Sequence, residues 1–316
     1  WLAGGRDKPF AENTPYIGFV DTHSELYTEG VRAGDQIATY DGRSFYNVYD
    51  LLYASILKKN SKNMDISGYK INYYTGAKNA FAYAFLPYDD DSKMFKGIST
   101  IGVQAPARYL IYRELPDQDV NEIEPGTPFY NSGLQYDERL IWADGEFVFS
   151  AEQLNYLANA PLAFLTVQRD GQLFHCQLMK VQMQDLQLTD YFKGEIEDWQ
   201  HEGDSKENLA QLYFLPFTLN DSCLLIEDVA FVDTELARQY GQSQNRYFDK
   251  RLQKGDKIVA INGIPVNKSA QFLKEMQKRK MLLIAQKAPK EKPVSWEKAN
   301  KQFVSDFDGQ EIQQLI

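Results

Sequence analysis

The stretch "LQKGDKIVAINGIPV", from Leu252, sets Gly255-Asp256 seven residues ahead of Asn262-Gly263. The same frame occurs in "VRAGDQIATYDGRSF" from Val31, with Gly34-Asp35 ahead of Asp41-Gly42. It returns in "LQYDERLIWADGEFV" from Leu134, where Asp137-Glu138 stands ahead of Asp144-Gly145. Each copy reads as a turn, an acidic residue, a short apolar strand and an Asp-Gly or Asn-Gly turn. The turn glycines Gly42, Gly145 and Gly263 lie roughly a hundred residues apart, which is far longer than a solenoid repeat and close to the size of a small domain.

The segment after each turn repeats as well. "NVYDLLYASILKK" carries Val48, Leu51, Leu52 and Ile56 at helical spacing, "SAEQLNYLANA" carries Leu154 and Leu157, and "KSAQFLKEMQKRK" carries Phe272, Leu273 and Met276. Asn47, Ser150 and Ser269 stand where N-caps belong. Beyond the helices, "YKINYYTGAKNAFAYAFLP" turns at Thr75-Gly76 and "LAFLTVQRDGQLFHCQLMKV" at Asp170-Gly171, which predicts hairpins, whereas "KMLLIAQKAP" offers one strand. Ahead of each frame a strand runs into small residues: "PYIGFVDTHSEL", "DQDVNEIEPGTPF" and "CLLIEDVAFVDTEL". The expected class is α+β.

Charge and side-chain chemistry remove several function classes. A net charge of -10 argues against a nucleic-acid binder, which concentrates Lys and Arg on one face. No apolar run approaches the roughly 20 residues of a spanning helix. His23, His175 and His201 are far apart and none forms an H-E-x-x-H pair. No G-x-S-x-G elbow and no glycine-rich phosphate loop is present, so no catalytic residue is assigned in this chain. Cys176 and Cys223 lack metal-ligand spacing and read as buried free thiols, with a disulfide as the alternative. "WLAGG" at the start reads either as the end of a membrane helix or as a boundary of the chain or a cleaved signal. Trp296, Ala299, Phe303 and Phe307 are near helical spacing and suit an amphipathic segment lying on a membrane or on a protein face.

On Gly34-Asp35 with Asp41-Gly42 and Gly255-Asp256 with Asn262-Gly263, the chain resembles the PDZ family in its circularly permuted bacterial form. The middle copy departs by having Asp137-Glu138, and the third carries an insertion, "QYGQSQNRYFDKR". The resemblance implies three PDZ-like domains, each a small twisted antiparallel β-sandwich or barrel with one long and one short helix. They fall at residues 16–97, 98–188 and 209–288, with a lead-in at 1–15, an acidic linker at 189–208 and a C-terminal amphipathic segment at 289–316. It also implies a groove between a strand edge and the helix, where a peptide adds as a strand and a nest of backbone N–H groups holds its terminal carboxylate. The candidates are Thr100, Ile101, Gly102 and Val103 with Leu154 and Leu157 for the second unit. For the third they are Phe214, Leu215 and Phe217 with Phe272 and Met276, where Pro216 removes one donor. The alternative is that Ile101 and Val103 merely pack a core.

Two PDZ-bearing families are close. The lead-in, the "GISTIGVQAPARYLIY" join and the C-terminal segment are similar to the periplasmic PDZ region of bacterial site-2 proteases, and the extra unit resembles their chlamydial type. That resemblance implies a non-catalytic array at the periplasmic face of the inner membrane, with flanking membrane helices and zinc in the longer parent. Its partners would be transmembrane protein substrates or their trimmed tails, which it filters by size or presents. The other family is the periplasmic HtrA-type proteases, which implies a peptide-binding sensor or scaffold.

Overall fold

A computed structural model describes residues 14–46, 48–58, 62–89, 97–107, 110–111, 138–182, 194, 213–214, 218–220, 223–228, 252–278 and 280–287. The fold is strand-rich with few helices. No described helix is long and apolar enough to cross a membrane. By contact, the described residues up to Trp142, Phe147–Tyr156 and those from Ile284 onward form one unit, and Ala143–Glu146 with Leu157–Leu283 form another.

In the first copy, β1 (Ile17–Val20) leads to α1 (Glu25–Thr28), β2 (Gln36–Tyr40), β3 (Arg43–Ser44) and α2 (Val48–Lys58). The long hairpin β4 (Met64–Ile71) and β5 (Lys78–Phe85) comes next, then β6 (Tyr88–Asp89), β7 (Ser99–Thr100) and β8 (Val103–Pro106). The sheet order is β3-β2-β4-β5. Alternation fixes its inward face: Met64, Ile66, Phe81 and Phe85 are buried while Asp65 and Ala82 face out. Gly68 is obligatory at the crossing of β4 with β2, because a Cβ there would lie 2.0 Å from the Gln36 carbonyl oxygen. On α2 the buried stripe is Val48, Leu51 and Ser55, and Ile56, expected on that stripe, is exposed.

β8 pairs antiparallel with β1, and β7 with β6. Ile101 and Val103 join Ile17, Val20, Leu26 and Leu51 in one core. Segment 99–106 therefore completes the first copy, and the expectation that Thr100–Val103 opens the second is corrected. A segment that comes after its domain in sequence closes it in space, because β8 finds its ladder partner at the chain's beginning.

The described elements of the middle copy are β9 (Leu110–Ile111), β10 (Glu138–Ala143), β11 (Glu146–Phe147) and α3 (Ala151–Asn159). Ser150 caps α3 as expected, its hydroxyl accepting the Gln153 N–H at 3.0 Å. The hairpin β12 (Leu162–Arg169) and β13 (Gln172–Met179) is next in sequence, yet β12 pairs in the third copy's sheet. The strands β14 (Val181–Gln182), β15 (Tyr213–Phe214), β16 (Thr218–Leu219) and β17 (Ile226–Asp228) succeed it. Then come β18 (Lys257–Ile261), β19 (Ile264–Pro265), α4 (Ser269–Met276) and β20 (Leu283–Lys287). The sheet order β13-β12-β18-β19 repeats β5-β4-β2-β3 element for element. The strand after the third helix, β20, goes instead to β10 of the middle copy. Strand pairing therefore does not respect the division at residues 188 and 209. The expected cap at Ser269 is also corrected: Lys268 occupies the cap position, and Ser269 is the first helical residue.

The three frame turns share one conformation. Asp41 (φ 46°), Asp144 (φ 44°) and Asn262 (φ 48°) precede Gly42, Gly145 and Gly263 at φ 73°, 97° and 75°, consecutive left-handed residues as a type I′ turn requires. Asp170-Gly171 makes the same turn in the β12–β13 hairpin.

Candidate peptide groove

The acidic residue of the frame is structural. Asp35 is fully buried and accepts the Arg32 and Ile71 N–H groups, each at 2.8 Å. Asp256 accepts the Gln253 N–H at 2.8 Å, and the Arg169 guanidinium takes the place of the second N–H, its Nε and a terminal nitrogen donating at 2.6 and 2.7 Å. Asp137, the middle counterpart, lies outside the described residues, and Glu138 opens β10. The preceding glycines Gly34 and Gly255 are left-handed at φ 88° and 89°, turning the chain so that the carboxylate folds back on it.

In the first copy α2 packs beside β7 and β8, the place of a strand-and-helix groove. Part of its loop is satisfied from within. Thr100 Oγ1 accepts the Gly102 N–H at 3.0 Å, and the Gly102 carbonyl accepts the Asp21 N–H at 2.8 Å. A Cβ on Gly102 would lie 2.5 Å from the Ser24 side chain, and φ there is 107°. Ser24 is fixed in turn, since its hydroxyl donates to Asp21 O at 2.6 Å and accepts the Tyr27 N–H at 3.1 Å. Thr100, Ile101 and Val103 are each no more than 4% exposed. The core reading of Ile101 and Val103 is the one the structure bears, and at least one donor of the expected nest is spent. Among the described residues, the buried Ser99 Oγ beside this loop has no hydrogen-bond partner, at a cost of about 1–3 kcal/mol.

The third copy has the matching place between α4 and β15. Here the Gln277 side chain acts as a fragment of strand: its Oε1 accepts the Tyr213 N–H and its Nε2 donates to the Tyr213 carbonyl, both at 2.8 Å. These are the main-chain bonds that an added peptide would make. Lys180 Nζ lies 5.2 Å from the Tyr213 ring centroid and donates to the Met276 carbonyl at 2.8 Å. Phe272 and Met276 are 1% exposed and belong to the core, not to an open groove wall. Leu154 and Leu157 are buried in the same way. Phe214 is placed in β15 by its backbone, while Leu215 and Phe217 lie outside the described residues. Gln277 carries no sequence signal, since its role depends on Tyr213, a chain segment far from it, whereas Ser24 is locally the N-cap of α1.

Among the described residues no three His, Cys, Asp or Glu side chains come together. His23 is exposed and meets Asp21 at 3.3 Å, while His175 stacks on Phe164 and burial lowers its pKa. Both cysteines are free, and burial pushes the Cys176 thiol up to about 12.

No family model matches the chain. It is 32% identical over 313 residues to a Chlamydia trachomatis protein, covering 98% of this chain and 46% of that one. It is 28% identical over 319 residues to a Chlamydia pneumoniae protein, covering 100% of this chain and 47% of that one. Both bear the name "Putative zinc metalloprotease". The chain thus spans about half the length of these relatives. Among solved structures, the PDZ domain of the SdrC-like protein from Listeria monocytogenes aligns with a TM-score of 0.24 and 16% identity, over 32% of this chain and 93% of that one.

Proposed function

We propose, from a chain homologous along its whole length to chlamydial proteins named for a zinc metalloprotease, that it is the non-catalytic PDZ-like array of such a protease. In this reading three PDZ-like units stand at the periplasmic face of the inner membrane, beside membrane helices of the same protein that carry the zinc. The array works as a size filter in regulated intramembrane proteolysis, excluding substrates with bulky outer domains until an earlier cut trims them.

The observation that carries this reading is that the chain's own groups take up main-chain positions at both candidate groove edges, Thr100 at Gly102 and Gln277 at Tyr213. A filter works by bulk and rigid spacing and has no need of an open groove. The second reading, a sensor for protein C-termini, draws on the buried Ser99 hydroxyl left without a partner among the described residues beside the loop.

The test is cleavage in cells by the longer parent, with and without residues 16–288, of one intact and one pre-trimmed substrate. Deletion is expected to release cleavage of the intact substrate. Loss of cleavage of the trimmed substrate would overturn the filter and make the array a presenter. Calorimetric titration with C-terminal peptides separates the sensor, which must bind the free acid better than the amide.

A further inference from the structure

The three frame turns close their sheets with one shared pair of hydrogen bonds. The Asp41 N–H donates to the Asp65 carbonyl at 2.8 Å, and Asp41 Oδ1 accepts the Asp65 N–H at 3.1 Å. Asn262 does the same with Phe164, at 2.7 and 3.0 Å. Asp144 does it with Leu282, at 3.0 and 2.7 Å. The strand so captured is β4 in the first copy, β12 in the third and β20 in the middle one.

These three closures differ in strength. β4 lies between β2 and β5, and β12 between β18 and β13, so each is bonded along both edges. Among the described residues β20 is bonded to β10 alone, at the end of its sheet. A strand held by one ladder opens at a lower free energy than one held by two.

The side chain at each closure differs too. Asp41 is partly exposed and its charge is met by Lys58 at 2.6 Å. Asn262 is neutral. Asp144 is a carboxyl group that is 4% exposed, with Glu146 of its own hairpin and Lys180 of the β13–β14 junction as its charged neighbours. Gln177 of β13 donates to its carbonyl at 3.1 Å. On the segment leading into β20, Lys278 and Lys280 are paired with Glu275.

We propose that β20 is a proton-controlled latch on the middle sheet: it docks on β10 when Asp144 is protonated and detaches more readily when Asp144 is charged, while the β13-β12-β18-β19 sheet stays folded. Burial raises the closed-state carboxyl to about 7, with Glu146 adding to the rise and the Leu282 N–H and Lys180 opposing it. A detached, solvated Asp144 titrates as an ordinary carboxyl. The raised group favours closure fully at low pH, and that contribution fades as pH rises toward 7.

Hydrogen exchange of the full chain at pH 6 and pH 8, corrected for intrinsic chemical rates, tests this. Opening at 283–287 and 138–143 is expected to increase about tenfold at the higher pH, with 162–169 and 257–261 unchanged. Asp144→Asn, which places Asn262's neutral amide at this closure, is expected to abolish the increase. Equal protection at both pH values, or an increase that survives Asp144→Asn, would overturn the proposal. Ile284→Pro tests the pairing separately, because the alternation that turns the Leu282 N–H to Asp144 turns the Ile284 N–H to β10 as well, so the change removes a ladder donor. It is expected to expose 138–143 at pH 6 and leave 257–261 protected, whereas exposure of 257–261 instead would refute the latch.

Discussion

Asp35 and Asp256 hold the same place in two copies, yet one accepts two backbone N–H groups and the other an arginine fork. At 1% exposure Asp256 depends on Arg169, whose own side chain is 26% exposed. Arg169→Met would leave a buried carboxylate short of its two strongest donors, at a cost of about 2–4 kcal/mol, moderated by the exposure of the guanidinium. Urea denaturation is expected to show that loss in the midpoint, and Asp256→Asn in the same background is expected to recover part of it. A midpoint that does not move would mean that the pair is idle. At this scale much was legible. Gly-Asp and Asp/Asn-Gly read as turns because positive φ is a local demand that few residues meet. Arg169 was not legible as a partner, since it lies 87 residues from Asp256 and in another copy.

Among the elements, α4 is held at its C-terminus by groups from outside the helix. Lys180 Nζ donates to the Met276 and Lys278 carbonyls at 2.8 and 3.4 Å, supplying a cation where the helix dipole is negative. Lys180 is itself 4% exposed, so Lys180→Met keeps much of its packing while removing the donor. The expected outcome is a loss of about 1–3 kcal/mol in thermal or urea unfolding, with faster amide exchange near Gln277. Stability equal to the wild type would assign the cap to solvent. The helices were foreseen from apolar spacing, and α2 shows where such spacing stops. Ile56 has the same chemistry as Leu51, but Leu51 is 2% exposed and Ile56 44%, because the depth of the partner surface decides how wide a stripe is covered. Nor could the loop at Thr100–Val103 be assigned by reading forward along the chain. Its ladder partner β1 stands at the opposite end of the same copy.

For the molecule as a whole, the decisive feature is the crossing of strands between the second and third copies. Gln168 of β12 lies opposite Lys257 of β18, and both side chains are accessible. The pair Gln168→Cys and Lys257→Cys, in a Cys223→Ser background, is expected to form a disulfide rapidly on mild oxidation; Cys176 can stay, since burial keeps its thiol protonated. Mass spectrometry of the digested product reads the linkage, and no cross-link under folded conditions would mean that β12 completes its own copy instead. Local sequence was enough for the α+β class, the threefold frame, the left-handed turn positions and the amphipathic helices, all properties carried by a few adjacent residues. Which strand closes which sheet was settled by tertiary packing alone. Main-chain ladders are nearly blind to side chains, so β12 could bond to β10 or to β18 by the same rules. The choice rests on long-range terms that no local pattern encodes: the Arg169–Asp256 pair, and the burial of Leu165 and Val167 in a common core with Ile258 and Ile261.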